Sequence, residues 1–245
     1  VKTKPEEQDE KKKLWLEFAG PRINLLAGEA AVSALQSMTY RGIAHSALAV
    51  SIKAKEFAAI ENPTDSQKRD FKLNELLHQC LAEPAKTAVD AAAIIYAHAI
   101  LDATIYQLCS ISISIDSNSW ASFIKEKKVS FSDIRQNNDV NAVQKKLLES
   151  YLAQLERESL LVKCDVLFKL IKPLHTRRIL SGFKYSRERL VALDSLRHDL
   201  VHKLKFHRSV RQSKAKTDYL FQTGKFFVNL LSKHYKVEKA SFGRK

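Results

Sequence analysis

Apolar residues recur along most of this chain at three- and four-residue intervals, the spacing of one helix face. After a charged tail at 1–12, a helical region is predicted over about 13–60, with a break at Gly20-Pro21. The stretch ENPTDS at 61–66 reads as a connector, and Thr64 or Asp65 caps a helix running to about 82. Pro84 suits the first turn of another helix, about 84–109. That helix is apolar on nearly all sides and belongs at the centre. The following SISISIDSNSW alternates with period 2, which allows a short strand, but helix fraying into loop is the expectation. A short helix at about 118–127 and a loop through KVSFSDIRQNND come next. Asp139 then caps a helix of about 33 residues that stops before Pro173. A linker at 173–185 leads to Ser186, the cap of a helix over about 187–207. RSVRQSKAK at 208–216 is a basic linker, the last helix covers about 217–236, and a polar tail reaches Lys245. The class is all-α: a helical bundle at 84–236, an N-terminal tail and helical extension at 1–83, and a loose tail at 237–245.

Composition agrees with this pattern. Six Gly and five Pro in 245 residues leave few breaks, and 45% hydrophobic residues suffice for a core. Neither a G-x-G-x-x-G nor a G-x-x-x-x-G-K-[ST] loop occurs, so the common phosphate-cradling motifs are excluded. The chain starts at Val1, consistent with a fragment or processed product. VKTKPEEQDEKKK is too charged for a secretory signal. Cys80, Cys109 and Cys164 are widely spaced in apolar runs and read as reduced core thiols of a cytoplasmic protein. Asp90, His98 and Asp102 interrupt the most apolar stretch, 88–115, so a buried helix is expected and no membrane span.

Charge narrows the partner class. The formal net charge is +14, which points to a polyanion. From Lys172 to Lys216 there are 13 Lys and Arg against three acids, so most of the surplus lies in one segment. Lys203, Lys205, Arg208, Arg211, Lys214 and Lys216 form a run without an acid, the footprint expected for a phosphate backbone. A solvated basic linker would read the same way. The run lacks an apolar face for insertion into a membrane surface.

The helix that feeds this run contains SLRHDLVHKLKF. At 100° per residue, Leu190, Leu193, Leu200, Val201 and Leu204 share one arc, and Arg197 falls in its middle. A guanidinium cannot shed its charge, so that position suits a cleft or a subunit interface. His198 and His202, four apart, form an adjacent face.

RHDLVH at 197–202 resembles the R-x(4–6)-H signature of the HEPN superfamily (higher eukaryotes and prokaryotes nucleotide-binding), in which a polar residue directly after the arginine is frequent. The resemblance covers about 84–236. It implies an HEPN-like bundle and a metal-independent endoribonuclease, often a toxin or an effector of anti-phage defence. It further implies a homodimer whose two motifs meet in a composite site, and an antitoxin or defence-complex partner. Arg197 and His202 would be catalytic, with His198 assisting, and no cofactor or metal is required. The chemistry is coherent. RNA carries its own nucleophile, the 2′-OH. An imidazole can take and return a proton at neutral pH. Arginine can bracket phosphoryl oxygens as charge builds. The products would be a 2′,3′-cyclic phosphate and a 5′-OH. His198 either holds the phosphate or orients His202; the residues leave both open.

A second polar stripe, His98, Asp102 and Tyr106, is spaced i, i+4, i+8 on the apolar helix. It reads as a hydrogen-bonded core network, with Asp102 a candidate support for Arg197 or a catalytic histidine. Two other functions compete. His198-Asp199 is an HD dipeptide, as in metal-dependent phosphohydrolases, with His175 and Asp218 the nearest further ligands. A non-catalytic RNA- or nucleotide-binding dimerisation module needs only the helices and the basic run. No G-x-S-x-G elbow supports a serine hydrolase.

Overall fold

Two very long helices set the architecture. In the computed structural model, α1 spans Lys4–Ala58 and α2 spans Asp65–Ile115, and together they form a hairpin. The structure describes residues 4–124, 139–171, 183–203, 210 and 212–237, with side chains from Lys13 to Phe123 and throughout the later stretches. α3 (Ser117–Ala121), a 3₁₀ turn (Ser122–Ile124), α4 (Val140–Arg157), α5 (Leu160–Ile171), α6 (Arg187–His202) and α7 (Ser213–His234) follow. Among the described residues there is no strand, and the chain is all-α.

Two expected breaks are absent, and one break that was not expected is present. Pro21 lies inside α1 and does not end it. A mid-helix proline costs about 3 kcal/mol, but Phe18 and Leu25 on either side are fully buried and hold the helix through it. Pro84 lies inside α2, so the two helices expected around it are one. Conversely, the single helix expected after Asp139 is two. Glu158 turns extended, and the Ser159 hydroxyl accepts from the Val162 N–H, so α5 starts afresh. The SISISI segment stays helical to Ile115.

The expected caps are in place. Thr64 forms a capping box with Gln67, Asp139 accepts from the Asn141 N–H, and Ser186 accepts from the Arg189 N–H. α7 begins earlier than its sequence pattern indicates. Gln212 enters it with φ 58° and no side-chain cap. Asp90 of α2 accepts from the hydroxyl of Ser213, the first helical residue, at 2.7 Å. A buried carboxylate at a helix N-terminus is favoured by the helix dipole. Asp90 also accepts from Gln36 and Tyr40 of α1, so one side chain ties three helices. Burial, and then the Asp90 bond, raise the Tyr40 phenol above its ordinary pKa.

α2 is central, as its composition indicates, and packs against α1, α4, α5, α6 and α7. Phe18, Leu25 and Val32 of α1, Ala97, Leu101 and Leu108 of α2, and Phe227 and Leu231 of α7 share one core. Two glycines make room for side chains of the neighbouring helices. A Cβ at Gly28 would sit 2.2 Å from Ile100 Cδ1, and one at Gly224 would sit 2.5 Å from Leu25 Cδ2. By length and apolar content α2 also matches a membrane span, and half of its apolar window is buried inside the fold.

The core ends well before the hairpin does. Between Gln36 and Asp90, both buried, no described residue is buried. At 1.5 Å per residue, α1 alone extends roughly 30 Å beyond Gln36. Contacts between its two helices, such as the Phe57–Phe71 stack and the Ser46–His78 hydrogen bond, hold this segment together.

Candidate functional site

α6 carries the arginine–histidine motif, and its base is firmly held. Arg187 donates two parallel hydrogen bonds to Asp165 of α5, Nε to Oδ1 at 3.0 Å and Nη2 to Oδ2 at 2.8 Å. The Tyr219 hydroxyl of α7 donates to the Ser186 carbonyl at 2.8 Å and accepts from the Ser186 N–H at 2.9 Å. Leu190, Leu193 and Leu200 are buried against the bundle. Val201, assigned to the same stripe, is instead exposed, in the last turn of α6. Leu204 lies outside the described residues.

α6 runs antiparallel to α2. Asp194 meets His98, while Leu200, two turns on, packs with Ala91 and Ile94. The motif therefore occupies the end of α6 directed toward the projecting hairpin. Arg197 is half-buried, and His198 and His202 are exposed with ring centroids 4.6 Å apart. The three side chains expected to act together share one end of one helix. Among the described residues no hydrogen bond fixes either imidazole.

Beneath the motif lies His98, only 5% exposed. Its Nε2 is 2.9 Å from Asp194 Oδ1, but the approach is misaligned for a hydrogen bond and the nitrogen stays unsatisfied. Burial lowers the His98 pKa first. Arg197 lowers it further, while Asp194 and Asp102 pull the other way. The buried imidazole and the half-buried guanidinium thus oppose one another's charge. Asp194 was not singled out in the sequence. Its spacing of three before Arg197, on the flank facing α2, was the available signal.

Asp102 bonds elsewhere. Its carboxylate accepts from Lys163 Nζ of α5 at 2.8 Å. Lys163 is 2% exposed and also lies over the Tyr106 ring. Lys163 thus joins Asp102 and Tyr106, both half-buried, while His98 of the same stripe turns to Asp194. Removing Lys163 or Asp102 would strand the other charge.

The candidate RNA contacts divide. Lys203 is exposed and pairs with Asp199 at 2.7 Å. Lys214 is exposed and lines a cleft of about 440 Å³ with Tyr40, Arg41 and Asp218. Lys216 is half-buried, and its pKa is lowered by burial and by Arg189. Lys205, Arg208 and Arg211 lie outside the described residues, as does His175 of the HD alternative. Among the described residues no group of three or more His, Cys, Asp or Glu is gathered for a metal ion.

Of the three thiols, Cys109 and Cys164 are buried as expected, and burial pushes the Cys109 pKa to about 12. Cys80 is exposed instead, because it lies on the hairpin beyond the core. Comparison with known proteins leaves the site to be read from its own geometry: no family model matches the chain, and no match was found among curated proteins or among solved structures.

Proposed function

We propose that the chain is an HEPN-like, metal-independent endoribonuclease that cleaves RNA by attack of the 2′-OH, with Arg197 and His202 as its catalytic residues. The observation that carries this reading is the shared end of α6. A half-buried arginine and two exposed histidines lie within two turns there, immediately before the basic run. His202 takes the 2′-OH proton and His198 assists. Arg197 stabilises the phosphoryl oxygens from a position partly shielded from water, where its charge acts more strongly. The basic run holds the RNA backbone. Two copies with apposed motifs form a composite site. On this reading the protein is a cytoplasmic toxin or anti-phage effector, with an antitoxin or defence-complex protein as a further partner.

One observation favours a second reading, a non-catalytic RNA-binding module. A histidine base is usually oriented by a third group, and among the described residues neither imidazole has one. Incubation with total RNA and tRNA in EDTA at low salt separates the two. Cleavage that both Arg197→Ala and His202→Ala reduce at least about 100-fold, the weight of a general acid–base group, supports the nuclease. RNA bound but intact, with both substitutions silent, assigns the chain to the binding class. Cleavage appearing only with added divalent metal points to the HD chemistry.

A further inference from the structure

The hairpin beyond Gln36 and Asp90 is amphipathic in a way its own two helices do not satisfy. On α1, Leu35, Met38, Leu48 and Ile52 are exposed, Met38 to 74%. At 100° per residue they share one arc, well away from Ile43, Val50 and Phe57, which turn toward α2. On α2, Leu73, Leu76, Leu77 and Leu81 are exposed, Leu81 to 64%. They share an arc displaced from Phe71, Asn74 and His78, which turn toward α1. Because the helices are antiparallel, the two displacements bring both arcs to the same side of the hairpin. The opposite side of α2 carries Lys68, Lys72, Glu75, Gln79, Glu83 and Lys86.

We infer that this apolar side is the seat of a second copy of the chain, the two hairpins pairing as a four-helix arrangement. Four observations select that occupant. First, the area suffices. At about 100 Å² for each of the eight exposed side chains, the face offers roughly 800 Å² per protomer, the size of a stable specific interface. Second, the face continues an interface the fold already uses. Leu73, Leu77, Cys80, Pro84, Ala91, Ile94 and His98 follow one another at helical spacing on α2, and α6 already lies along the last three. A helix of the second copy would extend that packing toward the tip. At its inner end the face opens into a groove of about 340 Å³ lined by Ala31, Val32, Leu35, Ala92, Ala93 and Tyr96.

Third, charge permits self-association. Residues 35–86 hold seven Lys and Arg against six Asp and Glu, a net of +1 in a chain of +14. Two such segments meet with little repulsion. A nucleic acid or an anionic membrane would find little attraction here, and an interfacial membrane helix ordinarily carries a strongly basic polar face. Fourth, Gly42 lies within the α1 arc, and a Cβ built there meets nothing within 4 Å. The chain's own packing does not require that glycine, whereas a close partner helix would.

The ribonuclease reading also calls for two copies, so the hairpin substitutions, which lie far in sequence from Arg197 and His202, and not the wild-type mass alone, assign the interface. Sedimentation equilibrium of the full chain between about 1 and 100 µM, where specific dimers assemble, should approach twice the chain mass of 27.8 kDa. The variant Met38→Glu/Leu77→Glu should sediment as a single chain with unchanged helicity. Gly42→Gln, whose Cβ meets nothing within 4 Å in its own chain, should weaken association at least tenfold and keeps the test decisive if the double variant misfolds. A single-chain mass for the wild type at 100 µM overturns the proposal. So does a dimer indifferent to a well-folded double variant or to Gly42→Gln. Flotation of the wild type with phosphatidylcholine vesicles, without self-association, would assign the face to a membrane.

Discussion

His98 shows how a single buried side chain ties the stability of the bundle to the neighbourhood of the motif. In an unfolded chain an imidazole titrates near 6.5. In the fold, burial and the Arg197 guanidinium hold His98 lower, against the opposing pull of Asp194 and Asp102. Below pH 6.5 the unfolded chain therefore binds a proton that the folded chain refuses. The stability linked to this group is complete above that value and declines as pH falls toward the folded pKa. The urea midpoint should accordingly be lower at pH 5.5 than at pH 7.5, with an unchanged denaturant slope. His98→Gln, which cannot titrate, should make that decline shallower. An identical decline in the variant would assign the pH dependence to other groups. Arg197 lies within this electrostatic set, so His98→Gln also tests whether the buried imidazole positions the guanidinium. A fall in RNA cleavage at pH 7.5, where stability is intact, would support that role.

Pro84 raises a different question, since it lies inside α2 with its N–H missing and no core residue nearby. The Cys80 carbonyl loses its helical partner there, and nothing buried on either side offsets the loss as Phe18 and Leu25 do around Pro21. Pro84→Ala should stabilise the chain by about 1–3 kcal/mol, the mid-helix proline penalty. Thermal unfolding followed by circular dichroism would show it, and a lower midpoint would mean that the hairpin uses the proline itself. The same residue marks where the sequence was hardest to read. Caps were legible because Thr64, Asp139 and Ser186 act on the backbone within three residues. The core position of α2 was legible from its composition, and the buried Leu190, Leu193 and Leu200 from their spacing. Breaks were not, because whether a proline ends a helix depends on packing contributed by distant segments. The fixed partners of the polar stripe were illegible for the same reason. Lys163 reaches Asp102 across 61 positions, and no local pattern encodes that meeting.

The whole molecule segregates its two kinds of surface. The projecting hairpin segment 35–86 is apolar on one side and nearly neutral, while the rest of the chain carries +13 of the +14 surplus. Two associations should therefore respond to salt in opposite senses. Phosphate contacts release counterions, and for single-stranded RNA each contributes about −0.7 to the slope of log K against log salt. If Lys203, Lys205, Arg208, Arg211, Lys214 and Lys216 all contact phosphates, the slope should be roughly −4. Apolar contact between hairpins releases no such ions, so the dimer mass should be steady or rise over the same range. Anisotropy of a labelled RNA in EDTA, with the His202→Ala protein, which the proposed mechanism makes inactive, measures the first. Lys203→Ala and Lys214→Ala should each make the slope shallower by about 0.7, whereas Lys53→Ala and Lys72→Ala on the hairpin should leave it unchanged. A slope near zero would remove the basic run as an RNA surface. A slope shifted equally by all four variants would mean that RNA contacts the hairpin too, and that the +13 and the +1 do not mark separate tasks.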